Sequence, residues 1–156
     1  MAPINQVLHA FKTGKADALF SKLYGTKPGA VHKQVDRYSQ AVEAFRALFP
    51  YQADIALFSS PGRTEVGGNH TDHNAGHILA AAVDLDIIAV VARNDRNVIC
   101  IQSEGYSQDT ISLDQLAPVE SEYYTSAALA RGVCARMKAL GHKIGGFDAY
   151  ATSSVN

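Results

Sequence analysis

The sequence predicts an α+β domain: N-terminal helices, then a mixed β-sheet packed against helices. Three observations carry this. An apolar stripe with helical spacing fills the first fifty residues. Short β-branched and apolar runs replace it after Pro50, and a second helical stripe followed by one more strand closes the chain. No internal repeat, low-complexity tract or linker divides residues 1–156, so they read as a single domain.

Each element has a local cause. Apolar residues around Val7, Leu8 and Phe11, then Leu19, Phe20 and Leu23, predict two short helices. Val31, Val35, Tyr38, Val42, Phe45 and Phe49 recur in steps of three and four, which makes one stripe on a longer helix. Pro28-Gly29 precedes it and Pro50 stops it. Ile55 to Phe58, Ile78 to Val83 and Ile87 to Ala92 read as strands, with Asp84 to Asp86 as a turn. Val98 to Ile101 and Thr110 to Leu113 continue the sheet, and their successive apolar residues predict cover on both faces of part of it. Tyr123 to Leu140 is helical, with Ala127, Ala130, Cys134 and Met137 on one stripe and glycines at its end. Phe147 to Ser154 is a last strand.

Bulk composition excludes several classes. The chain is 47% hydrophobic and 19% charged, with a formal net charge of −1, so no basic field calls for nucleic acid or an anionic membrane. Cys100 and Cys134 sit in apolar segments without metal or redox spacing and read as buried thiols of a reducing compartment. Met1 to Lys12 lacks the pattern of a signal peptide, and the run Ile87 to Ala92 is too short for a membrane span. A cytoplasmic location is expected.

The chemistry concentrates in residues 61–76, Pro-Gly-Arg-Thr-Glu-Val-Gly-Gly-Asn-His-Thr-Asp-His-Asn-Ala-Gly. Read as a loop between strands, it offers donors and acceptors suited to a polyhydroxylated ligand. Gly62 and Gly67 have Walker A spacing, but Gly68-Asn69 stands where Lys-Ser or Lys-Thr is required, and Thr64 breaks the dinucleotide pattern. A metal reading uses His70, Asp72, His73 and His77, as in a metal-dependent hydrolase, but Gly68 stands where that pattern wants another histidine.

Pro61-Gly62-Arg63, Gly68, His70-Thr71-Asp72, Asn74 and Gly76 resemble the galactokinase signature of the GHMP kinase superfamily. Ala80 to Asp84 resembles the small-residue strand that follows it. Arg37-Tyr38 through Phe49 resembles the family's N-terminal helix, and Gly146-Phe147-Asp148-Ala149-Tyr150 its strand leading to the phosphate loop. The resemblance implies the N-terminal part of a two-domain kinase that transfers the γ-phosphate of Mg-ATP to the C1 hydroxyl of galactose. It places Arg63 beside the anomeric hydroxyl as a charge stabiliser, Asp72 as acceptor for ring hydroxyls, and His70 alongside.

The chain also departs from the signature. Glu65 stands at the family's Asn position and Asn69 at its sugar-binding Glu position, so the two types are exchanged and both are expected to face the sugar. His73 replaces a Tyr and Ala75 a Gly. The expected partner is therefore galactose or a related sugar, bound by a variant branch of the family. The phosphate loop, the later catalytic aspartate and the C-terminal domain lie outside residues 1–156. ATP and Mg²⁺ are thus expected in the full-length enzyme, with none bound to this part and no turnover by it alone. A non-catalytic galactose-binding or regulatory module is the second reading. With nothing after it, the strand Phe147 to Ser154 is expected at an unfilled sheet edge that invites self-association.

Overall fold

The computed structural model describes residues 1–69 and 71–155, with Asp72 by its backbone only. Its elements are β1 (Ala2–Pro3), α1 (Ile4–Lys12), α2 (Asp17–Tyr24), α3 (Ala30–Leu48), β2 (Asp54–Gly67), β3 (Leu79–Arg93), β4 (Val98–Ser103), β5 (Asp109–Ser112), α4 (Ser126–Ala139) and β6 (Phe147–Ser153). Short 3₁₀ turns span Asp72–Asn74 and Glu120–Glu122. The α+β expectation holds.

The strands form one sheet in the order β1-β2-β3-β6-β4-β5. All neighbouring pairs are antiparallel except β4 and β6, which run parallel, so the sheet is mixed. The stripe on α3 buries Tyr38, Val42, Phe45 and Phe49 against Ile55, Ile88, Val90, Ala92 and Tyr150. On β4 the side chains alternate. Val98 and Cys100 face this helical layer, whereas Ile99 and Ile101 join Ile111, Leu113 and Ala127 beneath α4. The sheet is therefore covered on one face by α1–α3 and on the other by α4 at the β4–β5 end.

Two sequence expectations need correction. Asp84 to Asp86 is no turn: β3 runs unbroken from Leu79 to Arg93, because Asp86 is buried and its carboxylate is satisfied by side chains from other elements. Nor is the last strand at an edge. β6 lies inside the sheet, pairing Ile88 with Thr152 on one side and Ile101 with Ala149 on the other. The expected unfilled edge for self-association is absent there, since the chain's last strand is inserted between two earlier ones.

Polar clamps fix β6 in place. Asp148 is fully buried and accepts hydrogen bonds from Gln52 Nε2 (2.8 Å), Asn94 Nδ2 (2.9 Å), Arg96 Nη2 (2.5 Å) and Tyr51 Oη (3.2 Å). Gly146, just before it, passes so close to Asn94 that an added Cβ would lie 2.3 Å from Asn94 Oδ1. Only glycine fits that crossing. At the other end of the sheet, Arg131 on α4 makes a forked pair with Glu122 at 2.6 and 2.7 Å, which ties the helix to the preceding 3₁₀ turn.

Candidate functional site

The glycine-rich segment is half strand, half turn. Residues 61–67 belong to β2 and continue its pairing with β3, so the expectation of a loop from 61 onward is corrected. Two irregularities interrupt the register, between Pro61 and Arg63 and between Glu65 and Gly67. They let Pro61-Gly62 and the later glycines sit inside a strand that regular pairing would not tolerate. The segment then forms a hairpin arm. Arg63 pairs with Ala82, Thr64 with Ala81, and Glu65 with Ala80. Arg63 and Glu65, two apart on one strand, share a face of the arm.

Residues 68–78 turn the arm. Gly68 has φ +110°, and a Cβ there would meet His77 O at 2.5 Å. Thr71 Oγ1 donates to Gly68 O at 2.8 Å, and the amides of Asn74 and Gly76 both donate to Thr71 O. Thr71 is thus the hub of the turn. Asn69 and Ala75 adopt left-handed conformations, with φ of 52° and 61°. Asparagine tolerates that region well, alanine less so. The family's glycine at position 75 has a conformational reason, which Ala75 meets at some cost in strain.

Of the candidate residues, Arg63 and Asn69 are exposed and Glu65 is half-buried. Asp72 opens the 3₁₀ turn, so its backbone is held at the tip of the arm; its side chain and His70 lie outside the described residues. The structure thus gathers Arg63, Glu65, Asn69 and Asp72 on one hairpin. For the metal reading, the exposed His73 ring meets Asn74 Nδ2 at 3.2 Å. Among the described residues, which exclude His70 and the Asp72 side chain, no group of His, Cys, Asp or Glu has the arrangement to hold an ion. Nor does the Gly62–Gly67 stretch wrap a phosphate: it is a strand paired with β3.

Beside the arm lies a feature that the sequence reading missed. Asp86, 2% exposed, faces Pro61 across the pair. Its Oδ2 accepts from Tyr24 Oη and Ser59 Oγ, each at 2.5 Å; its Oδ1 takes the Arg37 Nη1 ion pair. Arg37 Nη2 also donates to Asp86 O at 2.9 Å, and the Ser154 amide donates to the same oxygen at 3.0 Å. Burial pushes the Asp86 carboxyl up, but the bonds from Ser59, Tyr24 and Arg37 and the Arg37 charge outweigh it and hold the group below its usual range. Tyr24 shifts upward, through burial first and its bond to Asp86 second. A cavity of about 450 Å³ adjoins this cluster, its lining including Tyr24, Ser59, Pro61, Ala82, Asp84 and Asp86. The sequence signal for it is a carboxylate inside an apolar run, together with the Arg37-Tyr38 pair.

Residues 43–93 match the family model described as the galactokinase galactose-binding signature. The galactokinase of Streptomyces coelicolor is 30% identical over 115 residues, covering 72% of this chain and 29% of its own length. That of Candida parapsilosis is 31% identical over 102 residues, or 63% of this chain and 20% of the relative. The chain therefore spans less than a third of the length of these relatives. In fold it matches Lactococcus lactis galactokinase, solved in complex with galactose, with a TM-score of 0.58 at 17% identity over 93% of this chain and 31% of that one. The mevalonate kinase of Methanococcus jannaschii follows, with a TM-score of 0.51 at 11% identity over 66% and 33%. Residues 43–93 thus carry the galactose-binding signature of the galactokinases, and in sequence and fold the chain is similar to a part of those proteins.

Proposed function

We propose that residues 1–156 are the sugar-recognition part of a galactokinase-like enzyme, with galactose or a related sugar as ligand. The observation that carries this reading is the signature match at 43–93, which falls on the hairpin arm bearing Arg63, Glu65, Asn69 and Asp72. In this reading the Asp72 carboxylate accepts hydrogen bonds from ring hydroxyls, and His70 donates beside it. The Arg63 guanidinium, always charged and fork-shaped, stands by the anomeric hydroxyl and offsets negative charge that develops as that oxygen attacks. Glu65 and Asn69 exchange the acidic and amide positions of the signature, so the pocket keeps one of each.

The reaction assigned to the whole enzyme is transfer of the ATP γ-phosphate to the C1 hydroxyl, with Mg²⁺ as counter-ion. Residues 62–67 do not fit the nucleotide, since they lie in a strand paired with β3, and no lysine is present there. We place the nucleotide and Mg²⁺ on residues beyond this domain. This portion alone is inactive. We place the protein in the cytoplasm, where its two free cysteines remain reduced; among the described residues no helix is long and apolar enough to cross a membrane.

Saturation-transfer NMR on the purified chain tests the sugar assignment. Galactose signals are expected to be attenuated on the wild type, and the effect to be lost in Arg63→Ala and Asp72→Ala. No attenuation with galactose or its epimers, or equal attenuation in both variants, contradicts it.

A further inference from the structure

We propose that Asp86 is a positioning residue for Arg63, fixing the register in which the hairpin arm presents the guanidinium to the sugar. The inference rests on the sugar reading above for the role of Arg63, and on geometry for its own part. Between the pairs Pro61↔Asp86 and Arg63↔Ala82, β2 advances by two residues and β3 by four. The strand pair therefore loses its alignment immediately before Arg63. A break of this kind frees a strand to slip unless one side is anchored.

Beyond the break burial is slight, because Arg63, Thr64, Val66 and Leu79 to Ala82 are all exposed and Glu65 is only half-buried. Before it stands Asp86. Its side chain is gripped from α2 by Tyr24, from α3 by Arg37 and from β2 by Ser59. Its backbone is gripped by Ser154, whose hydroxyl and amide both engage it at 3.0–3.1 Å. Three elements, and Ser154 just past the end of β6, thus converge on one residue of β3. The intervening Gly62 is packed as well: a Cβ there would lie 3.1 Å from Val155 Cγ2, 3.2 Å from Val83 Cγ2 and 3.3 Å from Leu85 O. Arg63 is the next residue along. A buried ion pair adds little net stability relative to an apolar replacement, whereas one that fixes a unique arrangement has a use that packing alone does not supply.

The test compares Asp86→Asn, Ser59→Ala and Tyr24→Phe with a control, Ile111→Val, which thins the fully buried core under α4 on the opposite face. Two readouts are taken: amide hydrogen exchange at residues 63–65, and galactose affinity by titration. Asp86→Asn is expected to speed exchange at 63–65 about tenfold relative to β4 and β5 and to weaken galactose about tenfold, since small misplacements of a binding group are costly. Ser59→Ala and Tyr24→Phe are expected to move both readouts the same way by less, and they decide the matter if Asp86→Asn fails to fold. Ile111→Val is expected to lower the melting midpoint and leave both readouts unmoved. Exchange at 63–65 that rises no more than in β4 and β5 overturns the proposal. A wild type that binds no galactose overturns the sugar reading instead, and the exchange measurement still decides the role of Asp86.

Discussion

Gly76 lies directly over Thr71: its amide donates to Thr71 O at 2.8 Å, and a Cβ added to it would stand 2.2 Å from Thr71 Oγ1. Because Thr71 also ties back to Gly68, this contact closes the turn that carries Asp72. Gly76→Ala is expected to open the turn at a cost of about 2 kcal/mol. Thermal denaturation measures the cost, and amide shifts confined to 68–78 show where it falls. A midpoint equal to wild type contradicts the assigned packing.

Ala75 gives the complementary case. Its φ of 61° is strained for an alanine, so Ala75→Gly is expected to hold or raise stability by up to about 1 kcal/mol. Ala75→Val, with a branched Cβ in the same conformation, is expected to lower it by more than about 1 kcal/mol. Melting midpoints of the two variants check the sign, and a stabilising valine would refute it.

Stability should fall at both pH extremes. Asp86 is held below its ordinary value of 3.8, and Glu122, through its Arg131 bonds, below 4.5. Their contribution is present above those values and is lost as the pH falls through the depressed ones, so an acid limb is expected below about pH 4. Tyr24 is raised above 10.0, as is Tyr150, each chiefly by burial. The unfolded chain ionises these groups first, so stability is also lost as the pH rises beyond about 10. Asp86→Asn should flatten the acid limb in midpoints measured across pH. A limb unchanged by that substitution contradicts the role given to Asp86.

Glu65 tests the exchanged pair in the signature. Glu65→Gln removes the charge from a charge-assisted contact and is expected to weaken sugar binding about tenfold, or roughly 1.4 kcal/mol. Titration calorimetry reads this directly. An unchanged dissociation constant removes Glu65 from the sugar site.

The sequence revealed this domain unevenly, for physical reasons. The α3 stripe from Val31 to Phe49 was legible because a helix writes its buried face at fixed spacing. The signature residues were legible because their types and spacing are specific. Asp86 was not, since a carboxylate flanked by Leu85 and Ile87 looks like a turn. Its partners Tyr24 and Arg37 lie on separate helices far away in sequence. The place of β6 was hidden for a related reason. Chain order says that Phe147–Ser153 comes last, whereas the pairing of Asp148 with both Ala92 and Cys100 puts it in the middle of the sheet. The strand character of Arg63 and Glu65 was masked by Pro61-Gly62, which reads as a turn until a break in register accommodates it.

Galactose titration followed by backbone amide shifts is the decisive test of sugar recognition by the hairpin arm. Saturable shifts are expected, concentrated on residues 62–76 and their strand partners 79–86, larger for galactose than for glucose, and abolished by Asp72→Ala. Shifts scattered over α4 and β5, or no saturable shift with either sugar, would contradict it.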